Sequence, residues 1–163
     1  HTDEQKLKIE EASKRIAILK ATNTSLGVNI MNQIVSYATK LLADFDIELI
    51  EKHHNRKIDA PSGTAVTLLE VINESLSEKK KIVYGREGNK KREKNEIGVH
   101  AIRGGNIVGE HTVIFSGGDE IIEIKHEALS RKIFADGAVK AILSLINKPS
   151  GLYLMKDILN INN

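Results

Sequence analysis

The sequence predicts an α+β fold, with a mixed, mostly antiparallel four-stranded sheet and helices on one face. Two segments, residues 27–43 and 63–77, repeat apolar side chains at the helical period. Short alternating or continuously apolar runs at 47–51, 97–102, 107–115 and 121–126 are typical of strands. The glycine pairs Gly104-Gly105 and Gly117-Gly118 separate the last three runs, and both pairs predict hairpins.

The two amphipathic segments each place an apolar stripe on one side, and we expect both stripes to pack on the sheet. The stripe of the first consists of Val28, Met31, Val35, Ala38 and Leu42, and that of the second of Ala65, Leu68, Leu69, Ile72 and Leu76. Between the second helix and the strand at 97–102, residues 79–96 are highly charged. We expect a long exposed connection there.

The two ends of the chain contribute further elements. Thr2 and Gln5 have the spacing of a capping box, so residues 3–15 should form a helix. Residues 16–21 then form a short buried strand, and the pair is typical of the end of a βα repeat. Ser130 is placed to begin a helix that runs to about residue 146. Because one face of so small a sheet would otherwise stay open, we also expect self-association.

Composition excludes several classes of function. The net charge of +2 is too small to argue for a polyanionic partner, and the 4% of aromatic residues argues against base stacking. The absence of Cys excludes a disulfide framework, a thiolate metal site and a cysteine nucleophile. We see neither a membrane span nor a signal peptide and expect a cytoplasmic protein with no membrane partner. Because the chain begins at His1, we expect a cleaved chain or part of a longer one.

Residues 53–65 are the strongest functional signal. They combine two imidazoles, His53 and His54, with the cations Arg56 and Lys57 and a carboxylate, directly after a predicted strand. Imidazole exchanges protons near neutral pH, and the cations favour an anionic substrate. The turn at 62–64 opens a helix, whose first N–H groups have no acceptor inside the helix. Together these features indicate proton transfer on a small carboxylate or phosphate.

Other interpretations of the same residues stay open. The turn at 62–64 could be a simple helix cap. A metal site is the main rival, although two adjacent histidines cannot easily face one ion from a strand; its candidate ligands are His53, His54 and Asp59, completed by His100, His111 or His126. The basic run at 79–94 could contact nucleic acid, but glutamates interrupt it and a solvated loop fits better. No glycine-rich dinucleotide motif is present.

The motif in residues 53–65 resembles the signature of the dihydrodipicolinate reductase family. A second motif at 103–113 agrees with it, and the resemblance extends almost continuously over residues 16–157. The residues that carry it further are Ser130-Arg131, Phe134-Ala135, Gly137-Ala138 and Ser150-Gly151-Leu152.

The resemblance implies a reductase built from an N-terminal Rossmann domain, which binds NADH or NADPH, and a C-terminal domain, which binds substrate and forms a homotetramer. Residues 1–24 would be a remnant of the first domain, 25–149 the second, and 150–163 a segment that returns to the first. The implied reaction is NAD(P)H-dependent reduction of 4-hydroxy-tetrahydrodipicolinate in diaminopimelate and lysine biosynthesis. This chain alone would lack the main cofactor loop and turnover. The alternative is a non-catalytic oligomerisation or dicarboxylate-binding module.

The resemblance also assigns roles to single residues. His53 would be the catalytic acid/base, and Lys57 a second proton donor that also contacts the substrate. The substrate carboxylates would be bound by His54, Ser62, Gly63 and Thr64. The segment that meets the nicotinamide would be Ala21, Thr22, Asn23 and Thr24, where Thr24 stands in place of a Phe that the family often has. No metal is implied.

Overall fold

A computed structural model describes residues 2–159 of the chain. The elements in chain order are α1 Asp3–Ser13, β1 Ala17–Leu19, α2 Leu26–Leu41, β2 Asp46–His53, α3 Gly63–Ser75, β3 Lys81–Tyr84, β4 Glu96–Arg103, β5 Gly109–Ser116, β6 Ile121–Ala128, α4 Lys132–Leu145, β7 Gly151–Tyr153 and α5 Met155–Ile158. Within this part of the chain, no helix has both the length and the apolar character needed to cross a membrane.

The chain folds as two compact units. The central unit is Ile30–Arg131, and the terminal unit combines the segments up to Asn29 and from Lys132 onward. The functional division into 1–24, 25–149 and 150–163 stays a prediction, because compactness does not reveal which unit binds a cofactor. Its outer segments include His1 and residues 160–163, which lie outside the described residues.

The central unit contains a mixed sheet with strand order β3-β4-β2-β5-β6. Strands β3 and β4 and strands β4 and β2 pair in parallel, whereas β2 with β5 and β5 with β6 pair antiparallel. The α+β class and the mixed sheet are confirmed, and antiparallel pairing accounts for more of the paired residues. The sheet has five strands rather than four, since β3 lies within the charged segment predicted to be an exposed connection.

The predicted hairpin through Gly104-Gly105 is wrong. Strand β2 lies between β4 and β5, so the loop that joins them crosses the end of β2. The Gly104 N–H donates to the His53 carbonyl at 2.9 Å, and the Asn55 N–H donates to the Gly105 carbonyl at 3.2 Å. Gly105 has φ +47°, a conformation that favours glycine. Gly104 and Gly105 therefore lie in a loop that crosses the end of β2. The other glycine pair, Gly117-Gly118, does join the antiparallel neighbours β5 and β6.

Helices α2 and α3 cover one face of this sheet, as predicted. The shared core is apolar and fully or almost fully buried; it contains Met31, Val35, Ile47, Leu49, Ala65, Leu68, Leu69, Ile72, Ile97, Val99, Val113 and Phe115. Both predicted helical stripes face this core. Burial of this much aliphatic surface, at roughly 25 cal/mol per Å², is the main stabilising contribution to the unit.

The terminal unit is built from both ends of the chain. Thr2 and Gln5 form the predicted capping box on α1. Strand β1 pairs in parallel with β7, and Ile18 lies opposite Leu152. A small cluster of Ala141, Met155 and Ile158 packs beneath this pair.

Candidate active site

Strand β2 brings charged side chains onto the buried face of the sheet. Its alternate residues Ile47, Leu49 and Glu51 are all 0% exposed, and His53 follows next on the same face. The apolar core therefore becomes polar toward the carboxyl end of β2. A carboxylate is excluded from water there, a position that is costly unless partners satisfy it.

Glu51 receives four hydrogen bonds from three elements. The Nδ1 of His53 lies 2.6 Å from Oε2. The guanidinium of Arg103, on β4, donates to Oε2 at 2.8 Å and to Oε1 at 2.6 Å, in a bidentate arrangement. The backbone N–H of Ser62 donates to Oε1 at 3.0 Å. Burial by itself raises the pKa of the Glu51 carboxyl, but the hydrogen bonds from Arg103 and His53 outweigh burial and hold this pKa below its usual range.

Ser62 connects this network to the start of α3. Its hydroxyl is the N-cap of the helix and accepts from the Ala65 N–H at 3.2 Å. The same oxygen lies 2.8 Å from Nε2 of His111, on β5. The His111 ring meets the His53 ring edge-on, with 5.2 Å between the centroids. Burial, together with the nearby charge of His53, lowers the pKa of His111 to about 4, so His111 is neutral at pH 7.

The loop after β2 carries the predicted cations. Lys57 donates to Asp59 at 2.8 Å, and this bond lowers the pKa of the Asp59 carboxyl. Arg56 donates to Asn106 at 3.1 Å. Arg103 also donates to the Asp59 carbonyl at 2.8 Å, which ties the loop to β4. The loop is thus held by side-chain hydrogen bonds from Arg56, Lys57 and Arg103.

His54 has different partners from His53. Its Nε2 lies 3.2 Å from the Arg131 guanidinium, so this nitrogen accepts and the neutral ring carries its proton on Nδ1. Partial burial, followed by the charges of Arg56 and Arg131, lowers the pKa of His54. Within the described residues, Nδ1 is buried and has no hydrogen-bond partner. A donor with no protein acceptor can serve a ligand carboxylate.

Two glycines leave space at the site. A Cβ added at Gly63, in the first turn of α3, would have no neighbour within 4 Å. Thr64 beside it is buried, with 8% exposure. A Cβ at Gly109, which begins β5, would lie 3.1 Å from Nε2 of His53. The first glycine allows a ligand to approach the helix start, and the second makes room for the imidazole.

The predicted cofactor segment belongs to the terminal unit. Ala21 and Thr22 are exposed just after the carboxyl end of β1, where ligands commonly bind in parallel sheets. Asn23 accepts from the Ser25 N–H at 2.8 Å, and the Thr24 hydroxyl donates to the Phe134 carbonyl at 2.7 Å. Side chains of Asn23 and Thr24 thus hold the loop in shape. The assignment of Ala21–Thr24 to a cofactor stays a prediction.

The structure joins two of the predicted site residues, His53 and Ser62, to a network that the sequence did not indicate, whereas the predicted Lys57 bonds Asp59 in the loop. The other members of the network are Glu51, Arg103 and His111. The sequence did contain a signal for Glu51, because it continues the alternating series of Ile47 and Leu49 on the buried face of β2. A charged side chain at such a position requires buried partners. Among residues 2–159, no three His, Asp or Glu side chains are grouped to hold a metal ion.

The fold is that of an α+β protein whose central unit carries a buried network of carboxylate, guanidinium and imidazole groups, and comparison with known proteins gives its family. The model of the family "Dihydrodipicolinate reductase, C-terminus" matches residues 27–159. The chain belongs to this family.

Similar proteins agree with the family assignment. A 4-hydroxy-tetrahydrodipicolinate reductase of Clostridium tetani is 56% identical over 153 residues, which span 93% of this chain and 60% of the relative. One of Brachyspira hyodysenteriae is 55% identical over 152 residues, 93% of this chain and 66% of the relative. This chain therefore spans about three fifths to two thirds of the length of these relatives.

A solved structure supports the fold. Dipicolinate-bound dihydrodipicolinate reductase from Paenisporosarcina sp. TG-14 superposes with a TM-score of 0.73 at 25% sequence identity. The match covers 99% of this chain and 61% of that chain.

Proposed function

We propose that this chain supplies the substrate-binding and proton-donating part of an NAD(P)H-dependent reductase. The reductase converts 4-hydroxy-tetrahydrodipicolinate to tetrahydrodipicolinate in diaminopimelate and lysine biosynthesis. One observation carries the proposal: His53 is held at Nδ1 by a buried carboxylate, beside a cationic loop and the start of α3. The names of the relatives support the same reaction.

The substrate class follows from the donors around this point. Lys57 and Arg56 supply positive charge, and the first turn of α3 presents backbone N–H groups over the open space at Gly63. His54 adds an Nδ1 donor. A solved relative is described as dipicolinate bound, and dipicolinate is a flat cyclic dicarboxylate. The Ser62 hydroxyl is already bonded to Ala65 and His111, so it would contribute by shaping the turn.

Proton transfer is assigned to His53, with Lys57 as a second donor. When bound, the reduced nicotinamide supplies a hydride to a ring carbon. The hydroxyl on the substrate ring takes a proton as its C–O bond breaks and leaves as water. Imidazole is a side chain suited to such proton transfer, and the proposal gives this role to His53. The loop Ala21–Thr24 would touch the nicotinamide end of NADPH or NADH.

Self-association is the second candidate function. The sheet face opposite α2 and α3 carries exposed apolar side chains, including Ile102 at 45% and Ile121 at 64% exposure. Between them lie ion pairs of Glu110 with Lys52 and Lys125. Apolar groups interspersed with paired charges are typical of an interface between copies. We propose a homotetramer formed through this face, which could also persist in a non-catalytic module.

Calorimetric titration of the chain with pyridine-2,6-dicarboxylate tests the binding half of the proposal. We expect saturable binding, weakened about tenfold in Lys57→Met through loss of a charged hydrogen bond. Lys90→Met is the matched control, because Lys90 pairs with Glu93 in the exposed connection before β4, and it should bind as the parent chain does. Equal affinities of the two variants would contradict the assignment of Lys57.

A chimera tests turnover. The chain would be joined to the dinucleotide-binding segment of the Clostridium tetani relative, and nicotinamide oxidation followed with 4-hydroxy-tetrahydrodipicolinate. We expect turnover that His53→Ala abolishes. Dicarboxylate binding without turnover in a cofactor-binding chimera would favour the binding module. A tetramer that binds neither ligand would favour the assembly module.

A further inference from the structure

We propose that Glu51 is the positioning residue of the site: it fixes the proton-bearing nitrogen of His53 and ties it to the substrate turn at the start of α3. This inference rests on the proposed function, in which His53 is the proton donor. The proposal explains why a carboxylate, Glu51, is fully buried at the polar end of the core.

The ionised state of Glu51 sets the protonation of the ring. A carboxylate can only accept hydrogen bonds, so the 2.6 Å contact requires a proton on Nδ1 of His53. In the neutral ring the other nitrogen, Nε2, is then unprotonated. In the imidazolium, Nε2 carries the second proton and can deliver it to a ligand. Proton exchange is therefore directed to Nε2, the atom for which Gly109 leaves room.

Glu51 is itself held rigidly. Arg103 engages both carboxylate oxygens, and the Ser62 N–H approaches Oε1. Each oxygen therefore accepts two hydrogen bonds, and rotation of the carboxylate would break bonds to three elements. Because Ser62 is also the N-cap of α3, the same carboxylate fixes the imidazole and the turn assigned to the substrate.

Glu51 is the carboxylate in direct contact with the His53 ring. The groups that face it are Glu51 on its own strand, Arg103 on β4 and His111 on β5, with His54 next in the chain. Lys57 lies in the same loop. All of these except Glu51 are neutral or positive. Asp59, the other carboxylate of this loop, is bonded to Lys57. Replacing Glu51 by a neutral residue would therefore remove the anionic group that contacts the imidazole and leave the Arg103 guanidinium near it.

Long-range ¹H–¹⁵N NMR of the imidazoles tests this without any turnover. With His53 assigned through His53→Gln, we expect its neutral ring to be protonated on Nδ1. In Glu51→Gln the proton should move predominantly to Nε2, since the amide cannot accept all four hydrogen bonds. Glu48→Gln is the matched control: Glu48 is on the same strand, faces the other side and bonds His100 and Arg86. It should leave the His53 signals unchanged.

Removing one partner of a buried ion pair leaves the other charge uncompensated and can prevent folding, so a second variant is needed. Glu51→Gln with Arg103→Met removes both charges and should show the same tautomer change. A folded variant of either kind whose His53 keeps its Nδ1 proton would overturn the inference, as would an Nε2–H tautomer in the parent chain. These outcomes leave the dicarboxylate-binding test unaffected, so the two proposals can fail separately.

A kinetic measurement on the active chimera adds the catalytic readout. Glu51→Gln should lower kcat about 100-fold, with a smaller rise in KM, because general acid catalysis is lost. The alkaline limb of its pH profile should move about one unit to lower pH, since the charge opposite the imidazolium is gone. Glu51→Asp keeps that charge and should restore the position of the limb. A loss of kcat with an unmoved pH profile would indicate a merely structural role.

Discussion

His111→Gln replaces a buried imidazole with a neutral amide and removes one titrating group from the centre of the site. His111 is 4% exposed, and its pKa in the folded chain is lowered to about 4. In the unfolded chain, histidine titrates near its ordinary value of about 6.5. As pH falls below that value, the unfolded chain takes up a proton that the folded chain does not. The stability from neutral His111 is therefore complete above about pH 6.5 and lost progressively toward pH 4.

The magnitude follows from these two pKa values. Linkage gives a loss of about 2 kcal/mol in the free energy of unfolding between pH 8 and pH 5, and about 3 kcal/mol when titration is complete. The amide oxygen of Gln can still accept from the Ser62 hydroxyl, so the variant should fold. His126 and His54, whose pKa values are also lowered, contribute equally to both proteins and cancel in the comparison.

Urea unfolding followed by circular dichroism at pH 8, 6.5 and 5 makes the measurement. We expect the parent chain to lose about 2 kcal/mol more than His111→Gln over this range. Asn73→Ala removes a side chain that does not titrate and that bonds the Lys80 backbone, so it should retain the parental pH dependence. If the parent chain and His111→Gln show equal pH dependence, the burial argument for His111 is refuted.

Three further substitutions test the packing of the site. Gly109→Ala places a Cβ 3.1 Å from Nε2 of His53, so the ring must tilt; in the chimera we expect turnover to fall about tenfold with little change in the unfolding midpoint. Ser62→Ala removes the N-cap of α3 and should cost about 1 kcal/mol in urea unfolding. Gly98→Ala would drive a Cβ into the Glu48 carboxylate and should cost about 1 kcal/mol, measured the same way, while leaving dicarboxylate binding intact.

Controls separate these effects from general strain. Gly104→Ala is matched to Gly109→Ala, because its added Cβ would meet only Ile107, at 4.0 Å. It should leave turnover unchanged. A tenfold loss in Gly104→Ala would show that the loop, rather than the His53 ring, is the sensitive part. An undiminished stability of Ser62→Ala would mean that the hydroxyl contributes no cap.

Local pattern was sufficient for most elements of the fold. The stripes on α2 and α3 and the alternation of β2 follow from 3.6- and two-residue periods that the sequence displays directly. Strand β3 was missed because its three uncharged residues, Ile82, Val83 and Tyr84, form too short a run within charged surroundings. The order of strands was missed because a glycine pair indicates a tight connection, but it does not indicate which strand the connection crosses.

The site was predictable where the chemistry is contiguous in the sequence. His53, Lys57 and the turn at Ser62 lie within ten residues of one another. Arg103 and His111 reach the same point from β4 and β5, and only non-local strand pairing brings them there. Glu51 could have been recognised as buried because it lies two residues after Leu49, on the same face of β2. Its partners on other strands could not have been recognised from the sequence.

Strand β2 constrains how this protein can change. Its even positions, such as Glu48, serve the charged outer face, and its odd positions, such as Glu51, serve the core and the site. Inserting or deleting one residue between Ile47 and His53 would exchange the two sets. Both faces of the sheet therefore depend on the length of β2 staying constant. Insertions and deletions are tolerable only outside this strand. The connection at 85–95 contains neither helix nor strand, but Arg86 and Arg92 within it bond Glu48, so length changes there must keep both arginines in reach of β2.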